Sequence, residues 1–491
     1  MAFVSEVPSG IHAWAQWDRY SIALGFLENN FQLFRPQTFV FNHQFPSDWI
    51  QASSSTITAV DFPVHEWFVA FIMKITGNNS FIVFKLYNFI LALMGLFLWW
   101  KTALILTGNM FKSFIALVFT AASPVLLFYT GSSLPGIPSL ASAMAGIFFY
   151  VQFKRRNRFS DFYFSIIWLT LAALTRTTFV IPLLSVFLVE ISGQYKNHHH
   201  LKKFLPAVLL SVLTLAGYFF YNRFLFLSHG SMFLNELMPP KSWEQAKDCL
   251  QVMFENWTFE WFTGWHYLLF ALIFVLSFFK NLKDGNMPND SVSDALKKWS
   301  IFSLVGCLMF FIAMLRQFPH HDYYFLDTFF LPLCMMFLLI LNKTNFDWNK
   351  QLIQASISIL LFIMVFKASE VSNYRHNNLI SERFHQMLEN FSGADEWLEN
   401  SGILKDAKIL IADVPAPNPP FVLMKRKGYV VLSSNLHRPK HVEAALQFPF
   451  DFMVMEISRK DEITNSIPQF NQYFSTIISS DKLILFKRKP E

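Results

Sequence analysis

Apolar residues run through this chain in long blocks separated by short polar or basic breaks. The blocks lie at about 81–104, 112–130, 136–153, 162–175, 177–192, 204–227, 265–282, 299–318, 323–341 and 351–369. As helices, each is long enough or nearly so to cross roughly 30 Å of hydrocarbon. They lack the two-residue alternation of a membrane barrel. The pattern therefore predicts a polytopic α-helical membrane protein with about ten spans. Blocks 162–175 and 177–192 share a polar break, Thr175-Arg-Thr-Thr178; they read equally as two crossings or as one kinked re-entrant pair.

The two ends follow other patterns. Residues 11–29 read as a helix whose apolar positions include Trp14, Trp17, Ile22 and Leu24, and 30–62 as a loop with Pro36, Pro46 and a Ser/Thr cluster at 53–58. After Pro63, apolar Val64, Trp67, Phe68, Phe71, Ile72 and Ile75 recur at helical spacing, with His65, Glu66 and Lys74 on other faces. That predicts an amphipathic helix too short to span, suited to the interface. From about 370 a connecting helix over 381–400 is followed by β-rich runs at Lys408–Ala412, Tyr429–Leu432, Phe450–Met455, Phe474–Ile478 and Leu483–Phe486. Pro415, Pro417, Pro419 and Pro420 make a rigid turn after the first run. Ala412-Asp-Val-Pro-Ala-Pro417 stands where a Gly-rich phosphate loop would be. The expected division is thus an exported first loop (1–79), a transmembrane bundle (80–369) and a small extracytoplasmic α/β domain (370–491), the last expected to be a cap.

Composition agrees with a membrane protein: 53% of the 491 residues are hydrophobic, 59 are Phe, and only 15% are charged, against about a quarter in soluble domains. The net charge of +6 does not imply a nucleic-acid partner, because the basic residues sit between apolar blocks. They do give an orientation. Lys154, Arg155, Arg156 and Arg158 form one cluster, Lys196, Lys202 and Lys203 a second, Lys280, Lys283, Lys297 and Lys298 a third, and Lys343 with Lys350 a fourth. With ten spans all four fall on one side, the cytoplasmic one. Residues 1–79, Gly131–Pro135, Thr175–Thr178, Ser228–Gly264, Gln317–Asp322 and the chain after 370 then lie outside. Since residues 1–9 do not read as a signal peptide, an exported first loop needs a further span upstream of Met1. Cys249, Cys307 and Cys334 have no pairing or zinc-site spacing.

A few polar residues carry candidate chemistry. Asp18, beside Trp17 and Tyr20, is a solvated loop acid, an ion-pair partner of Arg19 or, if desolvated near a membrane surface, a general base with a pKa raised toward neutrality. Arg176 and Lys85 fall near the outer boundary, where they either snorkel or grip an anionic lipid headgroup; Arg316 is a weaker candidate of that kind. His320, His321 and Asp322 are adjacent with no further ligand at useful spacing, so phosphate contact or packing is favoured over a metal. His65 and Glu66 either border a cleft or serve as the polar face of an interfacial helix. The His198-His-His200 run reads as a solvated basic turn.

Several of these features together resemble the C-type glycosyltransferase superfamily, nearest its protein O-mannosyltransferase and aminoarabinose transferase branch. They are an acid on a first-loop helix, a Pro-containing entry to an amphipathic helix, the span opening Phe84-Lys-Leu-Tyr-Asn88, and His320-His-Asp-Tyr-Tyr324. The resemblance covers about residues 10–345. It implies transfer of a sugar from a polyprenyl phosphate at the outer face of the plasma membrane (the inner membrane of a bacterium), with membrane lipids as neighbours and an acceptor of unspecified kind. By that resemblance Asp18 activates the acceptor, and Arg176, Lys85, His320, His321 and Tyr323 hold the donor; Asp61, whose role the resemblance leaves open, joins His65 and Glu66 as further substrate-binding candidates. No cofactor is implied. Two positions depart from the pattern. Asp61-Phe-Pro63 replaces a Pro-Pro pair, and Gly136, after Ser133-Leu-Pro135, stands where many relatives carry an acid, which counts against a two-acid or metal-dependent mechanism. The rival reading, a transporter or flippase of a lipid-linked sugar, predicts inverted repeats and charges near the midplane, and neither is evident in the sequence.

Overall fold

The computed structural model describes residues 7–194, 198–234, 236–278, 291–344, 348, 350–378 and 381–489, without the side chains of 193–194, 198–201 and 377–378. Lys196, Lys280, Lys283 and the side chains of the His198-His-His200 run lie outside the described residues. The chain divides into two compact units. One gathers Met1–Phe84, Phe220–Asn235 and His376–Glu491, and the other holds Lys85–Phe219 and Glu236–Arg375.

In chain order the helices are α1 (Ala13–Glu28), α2 (Val64–Thr76), α3 (Phe81–Thr107), α4 (Met110–Ala121), α5 (Pro124–Thr130), α6 (Gly136–Arg156), α7 (Phe159–Thr175), α8 (Val180–Gln194), α9 (His198–His229), α10 (Trp243–Trp261), α11 (Gly264–Leu276), α12 (Ser291–Met314), α13 (Tyr323–Asp327), α14 (Phe330–Lys343) and α15 (Gln351–Asn378). Five of them are long and apolar enough to cross a membrane: α3, α6, α9, α12 and α15. Two of the ten expected spans are parts of bent pairs, α4 with α5 at 68° and α10 with α11 at 79°. Three correspond to shorter apolar helices, α7, α8 and α14. Among the described residues, five helices thus qualify as spans by length and composition, or up to seven if each bent pair is one span.

The differences have local causes. Pro124, at the start of α5, cannot donate into the turn before it, so the helix restarts there. Block 323–341 is interrupted at Thr328, whose backbone leaves the helical region. Ser228–Gly264, expected as a loop, contains α10. Its mixed polar and aromatic composition hid the helix, which Ser242 caps by accepting from Gln245 N.

Within the bundle unit α6 is almost wholly buried, and small residues allow this. A Cβ on Gly95 would come within 2.8 Å of the Ala141 backbone, so α3 packs directly on α6. The outer face of α3 is greasy, with Phe89, Ile90, Leu93, Met94 and Phe97 all about half exposed, as lipid contact requires. Together the bundle and its apolar surface describe an integral membrane protein.

The other unit contains α1, α2, the loop between them and the C-terminal segment. That segment adds α16 (Glu382–Phe391) and α17 (Ala394–Asn400), with Gly393 at φ +80° breaking the single helix expected over 381–400. Five strands follow: β1 (Lys408–Val414), β2 (Lys427–Leu432), β3 (Phe452–Glu456), β4 (Phe474–Ser479) and β5 (Leu483–Arg488), in the order β2-β1-β3-β5-β4. β2, β1 and β3 run parallel; β5 is antiparallel to β3 and to β4. Helix α18 (Asn418–Met424) connects β1 to β2.

The first loop covers the open edge of β2. Phe41 N donates to Gly428 O at 2.9 Å, and Gly428 N donates to Phe39 O at 3.1 Å. The Asn42 side chain extends the ladder, accepting from Val430 N at 2.9 Å and donating to Val430 O at 2.7 Å. Phe41 enters the core beside Tyr429 and Phe448. An exposed strand edge is a template for aggregation, and this pairing removes it. It also fixes the loop, and through it α1.

Candidate active site

α1 positions Asp18. The helix begins after His12, buries Trp17, Ile22 and Phe26, and packs so closely at Gly25 that a Cβ there would collide with the Gln37 carbonyl. Asp18 is therefore inside, 2% exposed. Asn418, at the start of α18 and fully buried, donates Nδ2 to Asp18 Oδ1 at 2.7 Å. Burial pushes the carboxyl up from 3.8 to about 7; the Asn418 hydrogen bond, the Arg19 charge and the Trp14 indole oppose it only in part. A buried carboxyl poised near neutrality is suited to accept a proton.

Arg19 points elsewhere. It donates to Glu66 Oε1 at 3.0 Å and Asp61 Oδ2 at 3.4 Å, and its guanidinium lies 4.5 Å from the centre of the Phe233 ring. This settles one alternative: Asp18 is not a solvated acid, and the partners of Arg19 are the acids of the α2 entry. Glu66 is buried and its carboxyl is raised, first by burial. His65, also buried, is pushed down to about 3 by burial and then by the Arg19 charge, so it is neutral at physiological pH. Thus Asp61, His65 and Glu66 form one group around Arg19. Helix α2 also exposes an apolar face made by Phe68, Phe71 and Ile75.

In the bundle unit two helix breaks meet. Arg176 sits in extended conformation between α7 and α8, and Asp327 ends α13. Arg176 Nε donates to Asp327 Oδ2 at 2.5 Å, and its guanidinium lies 5.4 Å from the ring centres of both Tyr323 and Tyr324. His321 stacks on Tyr324 with centroids 5.4 Å apart, and its Nδ1 donates to the Gln317 carbonyl at 3.1 Å. Gly136 belongs to the same place, because a Cβ there would collide with Oδ1 of Asp327. The Asp327 carboxylate thus fills the space that a side chain at 136 would need. Asn88 holds the turn leading to Gly136 by donating to Ser132 O at 2.5 Å. Lys85 lies one turn earlier on α3, half-buried, whereas His320 is exposed on a one-turn 3₁₀ helix.

Asp322 has its own set of buried partners. Fully buried, it accepts from Tyr129 Oη at 2.5 Å and from Arg375, which also pairs with Glu260 at 2.8 Å. Among the described residues no three His, Cys, Asp or Glu side chains converge as metal donors.

Residues 60–223 match the family model described as dolichyl-phosphate-mannose-protein mannosyltransferase. No curated protein matches the chain in sequence. Among solved structures, the chain over its whole length superposes on ArnT from Cupriavidus metallidurans bound to undecaprenyl phosphate. The TM-score is 0.58 and the identity 11%, with 97% of that protein covered. It also superposes on the arabinofuranosyltransferase AftD from Mycobacteria, with a TM-score of 0.55 and 10% identity, but spans only 39% of AftD's length. The chain shares the fold of these two proteins.

In this chain Asp18 lies on the first-loop helix, and Arg176, His321 and Tyr323 lie together at the ends of broken helices. Sequence reasoning missed Asn418, Asp327 and Tyr324. Tyr324 had a signal in the His-His-Asp-Tyr-Tyr run. Asp327, four residues after Tyr323 and thus on the same helical face, was hidden inside an apolar block. Asn418 was hidden in a proline turn read as structural.

Proposed function

We propose that this protein is a membrane glycosyltransferase that moves a sugar from a polyprenyl-phosphate donor to an acceptor outside the cytoplasm, with inversion at the anomeric carbon. The observation that carries the reading is the buried carboxyl of Asp18, poised near neutrality in a chain of this fold. Asp18 takes the proton of an acceptor hydroxyl or amine. The acceptor atom forms its bond to the anomeric carbon as the bond to the phosphate oxygen breaks, and the polyprenyl phosphate leaves as an anion. Arg176, held by Asp327 and the two tyrosine rings, supplies fixed positive charge for that phosphate. His321 and Tyr323 flank it, with Lys85 and His320 as further donor contacts, and Asp61, His65 and Glu66 brace Arg19 beside the base. The setting is the plasma membrane with the chemistry on its outer side, the acceptor engaging residues of the first loop.

No cofactor has a part in this scheme, since proton transfer and charge stabilisation come from the residues named; a chelator is expected to leave the rate unchanged. The reading is tested by reconstituting the chain in proteoliposomes and presenting a panel of polyprenyl-phosphate sugars with envelope extracts as acceptor. Release of polyprenyl phosphate coupled to a sugar adduct of opposite anomeric configuration is expected. Movement of intact donor across the bilayer without release would mark a transporter instead.

A further inference from the structure

Asn418 is the point at which the C-terminal segment reaches the carboxylate of Asp18. Its chain path is unusually constrained: Pro415 and Pro417 precede it, and Pro419 and Pro420 follow it in the first turn of α18, each fixing its own φ. The Asn418 side chain is fully buried, and both ends of its amide are used. Oδ1 accepts from the backbone N–H of Phe39 at 3.1 Å, and Nδ2 donates to Asp18 Oδ1 at 2.7 Å. A backbone N–H can only donate, so the amide oxygen must face Phe39 and the amide hydrogens must face Asp18. The alternative flip would set two donors against each other. Phe39 is itself held by Gly428 of β2. The sheet edge, the first loop and the amide thus form one continuous support for the carboxylate.

We propose, resting on the reading of Asp18 as general base, that Asn418 is a positioning residue that holds Asp18 ionised and fixed for proton acceptance. The C-terminal segment is then a working part of the active site rather than a passive cap. A hydrogen bond donated to a carboxylate favours its charged form, and loss of the donor favours the protonated one. Among the described groups, the charged residue acting on Asp18 is Arg19, which is shared with Glu66 and Asp61; Asn418 is the strongest of the influences that favour ionisation, ahead of Arg19 and Trp14.

The experiment is the pH dependence of sugar transfer by the full-length chain in proteoliposomes, comparing wild type, Asn418→Ala and Asn418→Asp, with folding of each checked by thermal melting. Asn418→Ala should move the acid limb of the rate profile up by about one pH unit, giving about fivefold less activity at pH 7 and near-full activity at pH 9. Asn418→Asp keeps the shape, so it remains informative if the alanine variant fails to fold. It sets a second carboxyl against Asp18 and should move the limb further. A uniform loss at every pH, or an unmoved limb in either folded variant, would overturn the proposal. If Asp18→Asn keeps full activity, the general-base reading fails instead. If Asp18→Asn is inactive and the Asn418 variants leave the limb in place, only the role of Asn418 fails.

Discussion

Replacing Asp18 with asparagine should make the folded protein more stable, increasingly so as pH rises. Burial lifts the carboxyl from 3.8 to about 7 in the folded chain. Between those values the folded state keeps a proton that the unfolded state has lost, so stability falls as pH climbs through the window. About three pH units at 1.36 kcal/mol each amount to ~4 kcal/mol lost by pH 8, against roughly 1.5 kcal/mol at pH 5. Asparagine has nearly the same shape, can still accept from Asn418 Nδ2, and does not ionise. The variant should therefore melt higher than wild type, and the gap should widen by about 2–3 kcal/mol from pH 5 to pH 8, a shift of several degrees. Thermal melts in detergent at matched pH values provide the assay. Glu66, whose carboxyl is also raised by burial, titrates in both chains and largely cancels from the difference. A gap that stays flat with pH, or a variant less stable at pH 8, would refute the claim that a buried, strained carboxyl occupies this position.

Other substitutions probe the bundle and the first loop. Arg176→Ala should raise the donor KM about 10- to 100-fold, from the loss of charge-assisted hydrogen bonds, and Arg176→Lys should fall between; an unchanged KM in both would remove the anchor role. Gly136→Ala forces a methyl group onto Asp327 Oδ1 and should cost about 1–3 kcal/mol of stability. That cost should shrink in the Gly136→Ala/Asp327→Ala double variant, a coupling that a double-mutant cycle measures. Asn42→Ala strips both hydrogen bonds from Val430 and should cost about 2–4 kcal/mol. The loop should then be cleaved faster under limited proteolysis, whereas wild-type resistance would contradict its pairing with β2.

What could be read beforehand follows from where periodicity exists. The long apolar blocks announced α3, α6, α9, α12 and α15, and the β-rich runs announced all five strands, because burial on a helix or sheet imposes a repeat. Asp18 stood out because Trp14, Trp17 and Tyr20 surround a charge on one short helix. The partnerships were not legible. Asp18 and Asn418 are 400 positions apart, Gly136 and Asp327 nearly 200, and neither pair has a local pattern to mark it. Nothing near Gly136 in the sequence announces that Asp327 fills the space beside it. The pairing of the loop with β2 was equally hidden, since residues 39–42 follow no repeat and owe their extended form to an edge formed much later in the chain. Helix α10 escaped because its charged and aromatic residues alternate too irregularly to display a face.

The central claim is that Asp18 accepts the acceptor's proton during sugar transfer, and single-turnover transfer from a saturating polyprenyl-phosphate sugar tests it most directly. Wild type should show a rate rising with pH to a plateau through a midpoint near 7. Asp18→Asn, folded and still able to bind donor, should lose at least about 100-fold of that rate at every pH. Transfer by Asp18→Asn at the wild-type rate, with the same pH profile, would contradict it.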